Sequence, residues 1–360
     1  MKQDEIRLVA GIRPEAERYD PAARAEARRR LTRVAAATAV GGRPRRRVFA
    51  VAVAGALALA VAATAAQVLR DDPERVVAAP AGHAPRVVVS LEVSKMSAEE
   101  VLGRAAEAAT DELRPRDDQF IVVESQVMHN AASGGTLDAK GEPGPETRWL
   151  DRSRRIIWRP ADDSRASVVK VEHLDPLPYP GWPIPEEAYR YQSRTEWFQV
   201  AACPTAEPSH YTLLKRLPTD PERMRDWLYT VGYGGDRRTD EEAWSYLVEL
   251  LGESYLPAAQ RAALFQAAGG IGGVTAVENA EDAAGRTGIA VGRVGPDGVR
   301  QDLIFDPRTY EFLGERGVVV DAEQAKAPAG SLVSSTARLK VSVADSAPST
   351  GSSAASDQSC

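Results

Sequence analysis

The sequence predicts an α+β protein: a single transmembrane helix followed by an extracytoplasmic domain of antiparallel sheet packed with several helices. Three observations carry that prediction. Residues Val48 to Val68, VFAVAVAGALALAVAATAAQV, contain no charged side chain and follow Arg43, Arg45, Arg46 and Arg47. Between Thr219 and Gly270 the chain repeats helix-start signals followed by apolar residues at helical spacing. From Val274 onward the apolar period switches to two, with short turns between segments.

As a helix at about 1.5 Å per residue, the first stretch spans roughly a bilayer hydrocarbon core. The chain of 360 residues has a formal charge of −6. Residues 1–47 hold 13 Lys/Arg against 6 Asp/Glu, a net of +7, which leaves −13 on the remainder. Positive charge on the cytoplasmic side is the usual bias. The expected organisation is a basic, largely helical cytoplasmic tail over 1–47 and a transmembrane helix over 48–68. A linker over 69–86, an extracytoplasmic α+β domain over 87–344 and a disordered tail over 345–360 complete it. A cell-membrane location with the N-terminus inside follows, and an ordinary cytosolic enzyme is excluded. A cleaved signal peptide stays open, because Arg46-Arg47-Val48-Phe49 resembles a twin-arginine motif and Ala63-Thr64-Ala65 offers small residues for a peptidase. Against cleavage, the n-region would be 47 residues long.

Ala50, Ala54, Ala58, Ala62 and Ala66 form a small-residue ladder beside Gly55. Such ladders let two helices approach closely and are compatible with a homodimer; Ala-rich composition alone also explains them. In the tail, Asp20-Pro21 is a helix start, and Ala22 to Ala39 is rich in Ala, Arg and Glu. That basic helix has two readings, contact with membrane lipids or docking of a cytoplasmic protein.

Beyond the linker, Arg86 to Val93 has the β-branched content of a strand. Ser97-Ala98-Glu99-Glu100 is a capping box opening a helix to about Leu113. Gln119 to His129 reads as a strand and Ala131 to Pro145 as a loop. Thr147 to Asp151 with Arg154 to Trp158 reads as a hairpin, and Ser167 to Leu174 as a further strand. Asp175 to Pro185, DPLPYPGWPIP, is expected to be a surface loop with Tyr179 and Trp182 tucked onto the domain; a polyproline docking segment is the alternative. Asp220 is the expected N-cap of a helix through about Tyr229. Thr239-Asp240-Glu241-Glu242 opens a second helix, with Trp244, Leu247, Val248 and Leu251 on one face. A third, Ala258 to Ala268, closes at Gly269-Gly270 and is expected to pack on the second. Val274 to Glu278, Gly288 to Val294, Val299 to Phe305, Tyr310 to Leu313 with Val318 to Val320, and Ser331 to Val343 are expected to form an antiparallel meander, turning at Gly295-Pro296-Asp297-Gly298 and Asp306-Pro307-Arg308-Thr309. The tail from Asp345 is Ser, Ala, Thr and Pro with almost no large apolar residue, the composition of disorder.

No catalytic, cofactor-binding or metal-binding residue is nominated, and no cofactor is expected. His83, His129, His173 and His210 have no second ligand at metal-site spacing. Gly269 to Gly273 leaves a helix and enters a strand, whereas phosphate cradles sit at helix N-termini. Cys203 and Cys360 are too few for a disulfide framework. Nucleic acid is not an expected partner.

Several segments together resemble a known family. They are Asp118-Gln119-Phe120-Ile121-Val122-Val123-Glu124-Ser125, Leu217-Pro218-Thr219-Asp220-Pro221 through Trp227-Leu228, and Leu256-Pro257-Ala258 through Ala263-Leu264-Phe265. The last is Leu303-Ile304-Phe305-Asp306-Pro307 through Tyr310-Glu311-Phe312-Leu313-Gly314-Glu315. With the basic tail and single span, the chain is similar to a family of uncharacterised actinobacterial single-pass membrane proteins, often found with extracytoplasmic-function sigma factors. The resemblance implies an envelope sensor or regulator whose tail 1–47 acts on a sigma factor or similar partner. It brings no site residues, and the chain lacks the His and Cys ligands of zinc-binding anti-sigma domains. The domain also resembles, at the level of fold alone, half-barrel lipoprotein carriers. That implies a lipid- or lipoprotein-binding module and an apolar groove of several hundred cubic ångströms.

Overall fold

A computed structural model of the chain describes residues 87–110, 113–133, 146–162, 164–190, 192–200, 210–231, 237–350 and 355–356. The basic tail, the apolar span Val48 to Val68, the linker, His83 and both cysteines lie outside the described residues, and no helix among those described is long and apolar enough to cross a membrane.

Local chemistry sets the helices. In α1 (Ala98–Ala108), Ser97 accepts from the Glu100 amide. After the short α2 (Tyr211–Leu214), α3 (Pro221–Thr230) starts with Asp220 accepting from the Arg223 amide and Pro221 in the first turn. Thr239 and Glu242 form a reciprocal capping box at the start of α4 (Asp240–Glu253). Next comes α5 (Ala258–Gly269), and α6 (Ala322–Ala325) is a single turn. The strands are β1 (Glu92–Val93), β2 (Phe120–Ser133), β3 (Thr147–Pro160), β4 (Ser167–Pro178), β5 (Thr195–Val200), β6 (Thr275–Glu281), β7 (Thr287–Val294), β8 (Val299–Phe305), β9 (Phe312–Val319), β10 (Leu332–Ala344) and β11 (Ala355–Ser356). They form one sheet in the order β1-β6-β7-β8-β9-β10-β2-β3-β4-β5-β11, antiparallel except where β11 joins β5. The α+β class with one large antiparallel sheet is therefore as the sequence predicts.

Alternation sorts the side chains of each strand between two faces. Leu303 and Phe305 on β8 join Trp244, Leu247 and Leu251 of α4, Leu264 and Phe265 of α5, and Leu102 of α1 in the largest core cluster. Phe265 meets Phe305 edge-on at 5.3 Å, and the Trp244 indole donates to the Gln301 carbonyl at 3.1 Å. The intervening Ile304 points to the opposite face, against Val277, Ala290 and Leu313. Met128, Leu150, Tyr179 and Val318 make a further cluster. The Pro-rich loop is held as expected: buried Tyr179 donates to the Ala325 carbonyl at 2.9 Å, and the Trp182 indole to Lys326 at 3.3 Å.

Several expectations are corrected. The predicted hairpin over Thr147 to Trp158 is one continuous strand, paired along its length with β2 from Phe120↔Pro160 to Ser133↔Thr147; no Gly, Pro or Asn interrupts it, and Ser153 keeps the alternation. Residues 131–133 extend β2 instead of opening the loop, and β4 runs on to Pro178. The first helix stops at Ala108, which frees Leu113 to donate its amide to Tyr255 Oη at 2.7 Å and accept from Tyr211 Oη at 3.1 Å. Arg86 to Val93 is not one strand. Val87 and Val89 bond Leu332 and Gly330, while only Glu92 and Val93 pair with β6, so the segment crosses the face opposite the helices. α5 packs mainly on α1 and α3 and less on α4, because Gln260, Arg261, Ala263, Leu264, Phe265, Ala267 and Ala268 bury several of its sides. In the tail expected to be disordered, Asp345 accepts from Arg116 and Gln119, and Ala355–Ser356 pair with β5.

Candidate functional site

The helices pack on β6 to β9, and α1 and α5 also on one another. Farther along the same face, β2 to β5 carry a mix of polar and apolar side chains. Register places His129 opposite Asp151, Ser153 opposite His173, and Arg155 opposite Val171. Asp151, Ser153, Arg155 and Ile157 alternate along β3 and so share this face. Ile157, Val169 and Val171 form an apolar strip with Phe198 and Val200, and Asp151, Ser153, Arg155 and His173 are all buried beside it.

Two imidazole–carboxylate pairs are close but beyond hydrogen-bond length. His129 Nε2 stands 3.8 Å from Asp151 Oδ2, and His173 Nε2 stands 3.9 Å from Glu196 Oε2. Both exceed hydrogen-bond length, and His129 Nδ1, Asp151 Oδ2 and Ser153 Oγ have no hydrogen-bond partner. Burial raises Asp151 to about 7, opposed only by a backbone hydrogen bond. Burial, aided by the Arg155 charge, lowers His129 to about 4. His173 lies well below the usual imidazole range, through burial and then the His129 charge, and burial raises Glu196. A close carboxylate and imidazole suggest an ion pair, but desolvation outweighs their attraction here, so the neutral forms are favoured. The arrangement thus sets a carboxyl, an imidazole and a hydroxyl inside the domain, next to an apolar strip.

Sequence reasoning treats His129 and His173 as isolated and nominates no carboxylate; the sheet brings them to either side of β3, with Asp151 and Glu196 within 4 Å. The detectable signal is Asp-x-Ser-x-Arg at period two from Asp151 to Arg155, which places polar side chains on the face that Ile157 marks as apolar. His210 lies elsewhere, buried at the start of α2. No group of three or more metal-ligating side chains is found among the described residues.

A cleft of about 120 Å³ lies among Ala105, Tyr255, Arg261, Phe265, Phe312 and Arg338, and an open depression of about 350 Å³ lies by Leu102, Gly103 and Gly270. Neither has the form of the apolar groove that a lipid carrier implies, since the helices fill their half of the sheet. No family model matches the chain, and comparison with curated proteins returns no match.

Proposed function

We propose that this protein is an envelope sensor or regulator, anchored by Val48 to Val68, with its α+β domain outside the cell and its tail 1–47 engaging a cytoplasmic partner such as a sigma factor. The observation that carries this reading is the charge separation, +7 before a charge-free span and −13 in the remainder. The family resemblance of the segments around Phe120, Trp227, Phe265 and Phe305 supports it. Recognition outside is assigned to the half of the sheet formed by β2 to β5, where His129 and the buried Asp151 lie near the apolar strip and its half-buried Phe198 and Val200. The test is a pull-down from cytoplasmic extract with residues 1–47, paired with transcription profiling of a deletion strain. Retention of a sigma factor with an altered regulon is expected; no retained sigma factor with unchanged transcription would sink the proposal. Protease cleavage of the domain on intact cells checks the topology separately.

The alternative is a lipid- or lipoprotein-binding module of half-barrel type without a signalling role. The strip of Ile157, Val169, Val171, Phe198 and Val200 favours it. It predicts that lipid copurifies with the full chain and is lost on Val171→Asp, whereas a lipid-free preparation argues against it.

A further inference from the structure

On the face opposite the helices, β8 and β9 carry a buried charge cluster that the proposed function does not use. Asp302 is fully buried and accepts from two guanidinium groups, Arg300 Nε at 2.7 Å and Arg316 Nε at 3.0 Å. Arg300 is satisfied further, with Nη1 donating to Thr275 Oγ1 at 2.6 Å and Nη2 to the Thr275 carbonyl at 2.7 Å. Arg316 is not: its Nη2 is buried without a hydrogen-bond partner. Ser335 pairs directly with Arg316 across the β9–β10 ladder, and its hydroxyl is also buried and unpartnered. Arg316 is 2 % exposed and Ser335 1 %. The segment from Val87 to Val93 crosses this face from Leu332 to Val277, and its Leu91 packs against apolar clusters containing Val318 and Ile304, which flank the charges in register.

Two guanidinium groups share one carboxylate, so the cluster carries an excess positive charge in a poorly solvated place. That excess localises at Arg316, the member with an unused buried donor, and a second unused donor faces the same side one strand away. Such an arrangement is costly unless an acceptor of negative charge completes it. A water molecule accepts both hydrogen bonds but leaves the charge. Arg316 and Ser335 are enclosed between packed strands beneath the crossing segment, so the completing group must be small. We propose that Arg316 and Ser335 form a buried site for a monatomic monovalent anion, chloride, which joins Asp302 in neutralising the Arg300–Arg316 pair. The anion is structural: it ties β9 to β10 beneath the crossing segment and makes stability of the domain depend on halide.

The test uses the full chain crystallised in sodium bromide, together with melting in sodium bromide, chloride and gluconate at equal ionic strength. An anomalous bromide peak within hydrogen-bond reach of Arg316 Nη2 and Ser335 Oγ is expected, with a higher Tm in either halide than in gluconate. Ser335→Ala, which removes one donor and retains the charges, is expected to weaken apparent bromide affinity about tenfold. Water density without an anomalous peak at that position overturns the proposal, and so does a halide response that Ser335→Ala leaves intact.

Discussion

Asp151 faces His129 across the β2–β3 ladder with 3.8 Å between Oδ2 and Nε2, and burial favours the neutral form of each. Between about pH 4 and 6.5 an unfolded chain holds the pair's proton on the imidazole, while the folded chain holds it on the carboxyl. The proton count is the same, so the pair together adds almost no slope to stability over that range. Each group alone does. The raised Asp151 favours folding at low pH and loses that contribution as pH rises from about 4 to 7. The depressed His129 contributes above its unfolded value and loses that contribution as pH falls from about 6.5 to 4. Asp151→Asn therefore leaves the His129 slope exposed, and stability relative to wild type rises with pH by up to about 1.4 kcal/mol per unit. His129→Gln gives the opposite sign. Denaturant midpoints of the three proteins across pH 4 to 7 check this, and parallel curves would refute it.

Gly292 and Asp302 are opposite one another on β7 and β8, and a Cβ at Gly292 would collide with the Asp302 carboxylate and the Gln301 carbonyl. Gly292→Ala is expected to destabilise by about 1–3 kcal/mol, as overpacking does, because the carboxylate is held by two arginines and cannot retreat. The contrast is Gly103 in α1, where a Cβ meets nothing within 4 Å. Gly103→Ala should stabilise by about 0.5–1 kcal/mol through helix propensity. Thermal melting of the two variants should therefore move in opposite directions.

Tyr179 links the Pro-rich loop to α6 through its bond to the Ala325 carbonyl. Tyr179→Phe is expected to cost about 1 kcal/mol, the usual net value of such a bond. Tyr179→Ala should cost about 3–5 kcal/mol by opening a cavity among Met128, Leu150 and Val318. Equal losses in the two variants would mean that the ring contributes nothing, contrary to its burial.

Thr239 closes the capping box of α4, receiving the Glu242 amide at 3.2 Å and donating its own amide to Glu242 Oε2 at 2.7 Å. Thr239→Ala should lower stability by about 1 kcal/mol, and Thr239→Ser should retain most of it. A denaturant series on both variants separates loss of the cap from loss of the methyl group.

Helix starts and strand periodicity were legible because they are local. Ser97, Asp220 and Thr239 cap helices using amides three residues away, and the alternation from Val299 to Phe305 needs only the pleat to sort its side chains. The charge separation about Val48 to Val68 is likewise a property of the sequence alone. What stayed hidden depends on register. His129 and Asp151 are 22 positions apart in the chain, and only the unbroken β2–β3 ladder brings them to 3.8 Å. The hairpin assigned to Thr147 through Trp158 would have placed them otherwise, so one misplaced turn conceals the pair. The sharing of Asp302 between Arg300 and Arg316 similarly requires β8 and β9 in register, with Gly292 leaving room on β7. Sequence determined where helices begin, which positions alternate and how charge divides along the chain. Tertiary structure alone decided which ionisable groups meet and which protonation state they keep, because both follow from distance and desolvation, which periodicity does not encode.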